Sequence, residues 1–217
     1  MTSLLGWVGD PSSAAAAWLD PYPYPHAGHA GGWLADRYPH VLRILHPAYR
    51  GEGCEPQPVT WAAVAAARGV SLGPATGFDA LVGVRDPNAT LDGVFDTRPE
   101  MGSLPPELVE VVYAHFGDAV AGLFWDGWGE FLDEPIRGCA RVSEGPRGLA
   151  YQVVTVTRTA TDRAVRTRTP NFWWPADRSW CAATGVDEVE TLVVSVDRAR
   201  LEAVHRDPRL ETQLCTR

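Results

Sequence analysis

The stretch Trp125-Asp126-Gly127-Trp128-Gly129-Glu130 sets two carboxyls and two indoles at the end of a predicted strand over 119–125. Two carboxyls held in unlike surroundings can divide general-acid from general-base work, and the glycines between them let a ligand or another backbone come close. An enzymatic reading would therefore rest on Asp126 and Glu130, with Trp128 beside them. The competing expectation is a turn whose indoles pack and whose acids face water.

A second aromatic stretch runs Pro170-Asn171-Phe172-Trp173-Trp174-Pro175-Ala176-Asp177-Arg178-Ser179-Trp180-Cys181. Trp173 and Trp174 could stack on a sugar, a base or a cation, with Asp177 and Arg178 fixing polar groups of that ligand. As packing residues the same rings would fill a corner of the core, and the acid and base would cap a turn or pair. Exposure separates the two: coplanar, solvent-facing rings make a platform, and burial removes it. If the segment is one continuous strand, Trp174 and Trp180 share a face and Trp173 takes the other, a condition that Pro175 puts in doubt.

Other chemistry is thinner. His26 and His29, with His40 and His46 downstream, follow no strong zinc spacing, and Cys54, Cys139, Cys181 and Cys215 include no C-x-x-C pair, so no metal is expected and the thiols are expected reduced. Arg158, Arg163, Arg166 and Arg168 lie on a predicted hairpin, as a solvated face or as a surface for an anionic partner. No dinucleotide fingerprint or nucleophile-elbow motif is present, and a phosphate-binding loop has no lysine to serve it, since every basic residue other than histidine is arginine. No cofactor is expected.

These candidates must be positioned by a chain of 217 residues with 45% hydrophobic and 21% charged residues, nine of them tryptophan. That is ordinary for one globular domain spanning 1–217, and no apolar run reaches membrane-spanning length. A net charge of −8 argues against nucleic acid as the partner, because phosphate neutralisation needs clustered positive charge. The start lacks a basic n-region, which makes a cytoplasmic chain the expectation.

The pattern predicts a short alanine-rich helix after Ser12 and Ser13, a buried strand over 40–46, a helix from Pro58 to Arg68 closed by Gly69, and a long loop over 71–102 with one short strand near 91–95. A helix follows from Ser103 to Gly117. The C-terminal half reads as an antiparallel meander: 149–157 paired with 164–169, then 179–184 with 190–196, before a closing helix over 198–205 capped by Asp197. Helices early and strands late give an α+β class, a mainly antiparallel sheet with a C-terminal meander flanked by several helices.

Taken together, Tyr38-Pro39-His40-Val41-Leu42-Arg43-Ile44-Leu45-His46-Pro47, Trp61-Ala62-Ala63-Val64-Ala65, Gly102-Ser103-Leu104-Pro105, Phe124-Trp125-Asp126-Gly127-Trp128-Gly129 and the Pro170 to Cys181 stretch resemble an uncharacterised family of actinobacterial proteins, in order over 38–211. That resemblance implies no activity. A weaker likeness, carried by the Leu104-Pro105 helix start and the α+β meander, is to the SMI1/KNR4-like immunity proteins, although Phe116-Gly117-Asp118 stands where that group tends to have Asn-Gly-Gly. The expected function is a protein-binding module engaging another protein through an acidic or aromatic surface, of the immunity type and without a cofactor. The alternative is a small-molecule enzyme, or a sugar or nucleotide binder, with a Trp-lined pocket using Asp126 and Glu130.

Overall fold

Two runs of this chain, 40–45 (His-Val-Leu-Arg-Ile-Leu) and 190–195 (Glu-Thr-Leu-Val-Val-Ser), carry apolar residues at consecutive positions, and a strand with that pattern has to be covered on both faces. The computed structural model describes residues 6–19, 32–51, 56–84, 86, 88–117, 119, 121–128, 139–143, 149–157 and 168–215. In chain order its elements are β1 (Gly6–Gly9), a 3-10 helix (Ala14–Leu19), α1 (Gly32–Arg37), β2 (His40–Leu45), β3 (Ala48–Arg50), β4 (Gln57–Val59), α2 (Trp61–Arg68) and α3 (Phe78–Val82). There follow α4 (Pro106–Phe116), β5 (Ala121–Trp125), a 3-10 turn (Asp126–Trp128), β6 (Arg141–Ser143), β7 (Ala150–Thr157), β8 (Phe172–Trp174), β9 (Trp180–Ala183), β10 (Glu190–Ser195), α5 (Arg198–His205) and β11 (Thr212–Cys215).

Among the described residues, nine strands form one antiparallel sheet in the order β1-β7-β5-β8-β9-β10-β2-β11, with β6 also on β7, while β3 and β4 pair separately. The two apolar runs lie side by side as β2 and β10, Glu190 opposite Leu45 and Ser195 opposite His40. Both faces are indeed covered. On one, Leu108, Val111, Val112 and Phe116 of α4 and Leu201 and Val204 of α5 pack on Leu42, Ile44, Phe124, Val154 and Val193. On the other, Ala16, Leu19 and Leu34 pack on Val41, Leu123, Val153, Leu192 and Val194. A third cluster holds α2 and α3 against Leu45, Ala48 and Phe95. This is the expected α+β class. Among the described residues no helix is long and apolar enough to cross a membrane.

Local chemistry explains the helix ends. The Thr60 hydroxyl accepts the Ala63 N–H at 3.1 Å at the start of α2, and the Glu211 carboxylate, from just before β11, accepts the N–H groups of Trp61 and Ala62. Gly69 closes the helix at φ 65°, in the left-handed region where a side chain is costly. Pro106 opens α4 at its first position, and Asp197 caps α5 by accepting the Arg200 N–H.

Several expectations are corrected. The alanine-rich segment, expected as a helix, is a 3-10 helix of six residues, Ala14–Leu19. The long loop contains α3, whose Phe78, Leu81 and Val82 are buried, and in place of the short strand expected near 91–95 Leu91 and Phe95 form an isolated bridge with each other. Strand β7 takes β5 on one side and β1 and β6 on the other; Arg168 and Thr169 belong to no strand, and the rest of the expected hairpin lies outside the described residues. The strand expected over 40–46 is present as β2, and β1, β3 and β4 add further strands to the early half. The pairing of 179–184 with 190–196 is present as β9 on β10.

Candidate functional site

Asp126 stands where β5 ends and the 3-10 turn begins, half-buried rather than projecting into water. Its Oδ1 accepts a hydrogen bond from Gln152 Nε2 of β7 and lies 3.3 Å from the Arg141 guanidinium of β6. The register makes this meeting unavoidable, because Phe124 and Arg141 both stand opposite Gln152. The partner expected for Asp126, Glu130, lies outside the described residues, as do His26, His29, Cys54, Arg158, Arg163 and Arg166. Among the described residues no group of three His, Cys, Asp or Glu is close enough to hold a metal ion.

Trp128 is 9% exposed and packs edge-on to Trp125, with ring centroids 5.0 Å apart. The Arg168 guanidinium lies 4.0 Å over its ring and donates to the Met101 carbonyl at 2.9 Å. Beneath them sits Asn171, wholly buried. Its Oδ1 accepts the Trp125 N–H (2.8 Å) and the Trp128 indole N–H (3.2 Å), while its Nδ2 donates to the carbonyls of Gly102 (3.0 Å) and Thr184 (3.1 Å). One amide thus ties four segments with every site it has. Asn171, more than the tryptophans beside it, explains how the two aromatic stretches of the sequence belong together.

The tryptophans of the 170–181 stretch do not face solvent: Trp173 is 1% exposed and Trp174 2%. As neighbours on a strand they enter opposite faces of the sheet, so they cannot lie coplanar. Trp173 packs against Tyr113 of α4 and edge-on to Trp180 at 5.4 Å; Trp174 packs edge-on to Trp18 at 5.4 Å on the other side. The parity expected for a continuous strand is therefore overturned. Trp173 shares its face with Trp180, because residues 175–179 form a turn between β8 and β9 that resets the alternation.

That turn explains Asp177 and Arg178. Asp177 is exposed, and its Oδ1 accepts the Ser179 N–H at 3.0 Å, a bond that also holds its carboxyl below the usual range. Arg178 has φ 56° and is the one non-glycine with positive φ among the described residues. Its carbonyl accepts the Tyr38 hydroxyl at 2.8 Å and its guanidinium reaches over the Trp18 ring at 5.7 Å. The pair closes a turn and pins Trp18 and Tyr38 to the sheet.

Two further buried polar groups, Arg43 and His46, take partners from distant parts of the chain. Arg43, on β2, spends all five donors: on Glu190 through Nε (3.1 Å) and Nη2, on Thr76 O (3.1 Å), on Pro74 O and on Gln213 Oε1 (2.8 Å). His46, fully buried, has Nδ1 2.7 Å from the Glu100 carbonyl, which obliges that nitrogen to carry the hydrogen. Its Nε2, 2.8 Å from Thr191 Oγ1, then accepts from the Thr191 hydroxyl, which leaves Thr184 to donate to Thr191 at 2.7 Å. Burial pushes the imidazole down to about 4, against the opposing pull of the Glu100 carbonyl. Glu100 in turn is raised by burial, while Ser103 Oγ, donating at 3.0 Å, and Arg168, 3.9 Å away, pull it back. These bonds tie Glu100 and Ser103 to His46, and through it to Thr191 of β10, beside the seam around Trp128.

Gly102 lies at that seam with φ 80°, and a Cβ there would stand 2.4 Å from the Trp128 ring and 2.6 Å from the Val186 carbonyl. Gly102→Ala should accordingly destabilise the fold by about 2 to 3 kcal/mol in a urea titration, through both the strained backbone and the overlap. A loss under ~0.5 kcal/mol would show that the seam yields readily to a methyl group.

No family model matches the chain, and neither a curated protein nor a solved structure is found similar to it.

Proposed function

We propose that this chain is a cytoplasmic protein-binding module of the immunity type, engaging a partner with a basic surface through the segment between α2 and α4. The charge of that segment together with α4 carries the reading: residues 69–117 hold seven Asp or Glu against two Arg. Asp86, Asp92, Asp96, Glu107 and Glu110 are exposed, and three of the exposed large apolar residues, Val70 (42%), Val84 (47%) and Met101 (37%), fall in the same stretch. Apolar side chains set among charges of one sign suit a protein partner of the opposite sign, with the charges steering association and the apolar groups adding affinity. Burial of Trp173 and Trp174 weighs in the same direction, since it removes the aromatic platform on which a sugar or nucleotide reading first rested.

The partner would be sought among the products of neighbouring genes by titration calorimetry with purified proteins. Asp86→Asn, Asp92→Asn and Asp96→Asn combined should weaken the complex at least about tenfold and flatten its salt dependence. The proposal fails if the isolated protein instead turns over a small molecule and Asp126→Asn or Glu130→Gln abolishes that turnover with the fold intact.

A further inference from the structure

The large sheet ends on one side at β11, which pairs with β2 alone. The bonds between them fall on alternate residues. The Leu45 N–H donates to the Glu211 carbonyl at 2.9 Å, which makes these two a hydrogen-bonded pair. Moving two residues along each strand makes Arg43 with Gln213, and then Val41 with Cys215, the next such pairs. Thr212 and Leu214 lie between them, so their backbone N–H and C=O groups turn away from β2. Among the described residues those groups meet no partner, and the one bond at either residue joins the Thr212 hydroxyl to His205 Nδ1 at 2.8 Å. Every residue of β11 is partly exposed, which leaves this edge open to solvent and to another chain. Native sheets guard such an edge with a charge, a proline or a bulge. At the other end of the sheet β6 carries Arg141, 66% exposed. Thr212-Gln213-Leu214-Cys215 has neither charge nor proline, and its unbroken register with β2 contains no bulge.

We infer that β11 is a dimerisation edge, pairing antiparallel with β11 of a second copy of this chain about a twofold axis at Gln213. The alternation selects both the occupant and the register. With the axis at Gln213, Thr212 of each copy stands opposite Leu214 of the other, each such pair exchanges two backbone bonds, and no outward group is left over. A shift of one residue sets outward groups against inward ones. A shift of two leaves Thr212 or Leu214 of both copies without a counterpart in β11. No like charges meet across the axis, because Glu211, the charge next to the strand, is turned to the start of α2, where it accepts the Trp61 and Ala62 N–H groups. Leu214 is partly buried against the core beneath α4 and α5, and Cys215 against the cluster on the opposite face, so a strand laid alongside extends both layers. This edge lies outside the acidic stretch between α2 and α4, and its pairing does not depend on that stretch.

The test uses the full chain. Sedimentation between about 1 and about 500 μM should show a dimer that dissociates on dilution, since backbone bonds and a narrow strip of side chains give only modest affinity. Backbone amide exchange, read by NMR at both ends of that range, identifies the interface. Thr212 and Leu214 should exchange freely in the monomer and at least about tenfold more slowly in the dimer, whereas Gln213, whose N–H is spent on β2, is protected in both. Leu214→Pro removes an outward donor and no bond to β2, and a sheet edge tolerates proline. It should weaken dimerisation at least about tenfold while the dilute protein melts within a few degrees of the parent. Thr212→Pro, which keeps the Leu214 packing, should do the same. The proposal is overturned if the protein stays monomeric throughout, if a dimer forms with the Thr212 and Leu214 amides still exchanging freely, or if the proline variants fold and dimerise as the parent does. Should the prolines unfold the chain, the exchange pattern of the parent decides alone.

Discussion

Glu190→Ala is expected to lower the unfolding free energy by about 3 to 5 kcal/mol in urea at neutral pH, the size seen when one member of a buried ion pair is removed. The guanidinium of Arg43 is 2% exposed and would stay in the core without its counter-charge, for its remaining acceptors, Pro74 O, Thr76 O and Gln213 Oε1, are all neutral. The loss comes from desolvation of a stranded cation and does not measure the pair's own worth. Removing both members should therefore cost far less than removing one. The double variant Arg43→Met, Glu190→Leu is expected to recover most of the difference, and an equal loss in single and double variants would show that the pair stabilises the sheet outright.

Acid should weaken the fold through His46. Its folded value is about 4, against 6.5 for an ordinary imidazole, so folding favours the neutral ring. The associated stability is complete above pH 6.5, declines as pH falls below it, and is exhausted below about pH 4. A shift of this size corresponds to about 3 kcal/mol. Glu100 and Glu211 act in the opposite sense, because burial raises both and the native state favours their protonated forms. His46→Gln, whose amide can still donate to the Glu100 carbonyl and accept from Thr191, isolates the histidine. Urea titrations between pH 7 and 4 should show a flatter stability profile for the variant, and parallel profiles would remove His46 from the account.

Helices and strands whose cause is local could be read from the chain. The closing helix with its Asp197 cap, the α4 start at Pro106, the end of α2 at Gly69 and the β9–β10 pairing follow from capping chemistry, proline geometry and apolar spacing within a dozen residues. What could not be read depends on distant partners. The chemistry of Arg43 is set by Glu190, 147 positions away, and by Gln213, 170 away. Helix α3 is five residues long, too short to leave a periodic signal among glycines. The parity of Trp173, Trp174 and Trp180 held only for a continuous strand, which Pro175 put in doubt, and the 175–179 turn, with Arg178 in a left-handed backbone, breaks it. Asp126 and Trp128 stand out through their place at the end of an apolar run among glycines, whereas Gln152, Arg141 and Asn171, which define their surroundings, come from other strands and loops.

The place of β2 between two strands from the end of the chain bears on how the protein is made. Its neighbours on both sides, β10 and β11, come from the end of the chain, and β1 likewise waits for β7. During synthesis the apolar strand His40–Leu45 emerges from the ribosome long before anything that can pair with it. Pairing across such separations is slow, and an unpaired apolar strand is open to wrong association meanwhile. A nascent chain arrested before β10 should therefore be bound by chaperones and cut readily by protease, and completion through Cys215 should bring protection of both halves at once.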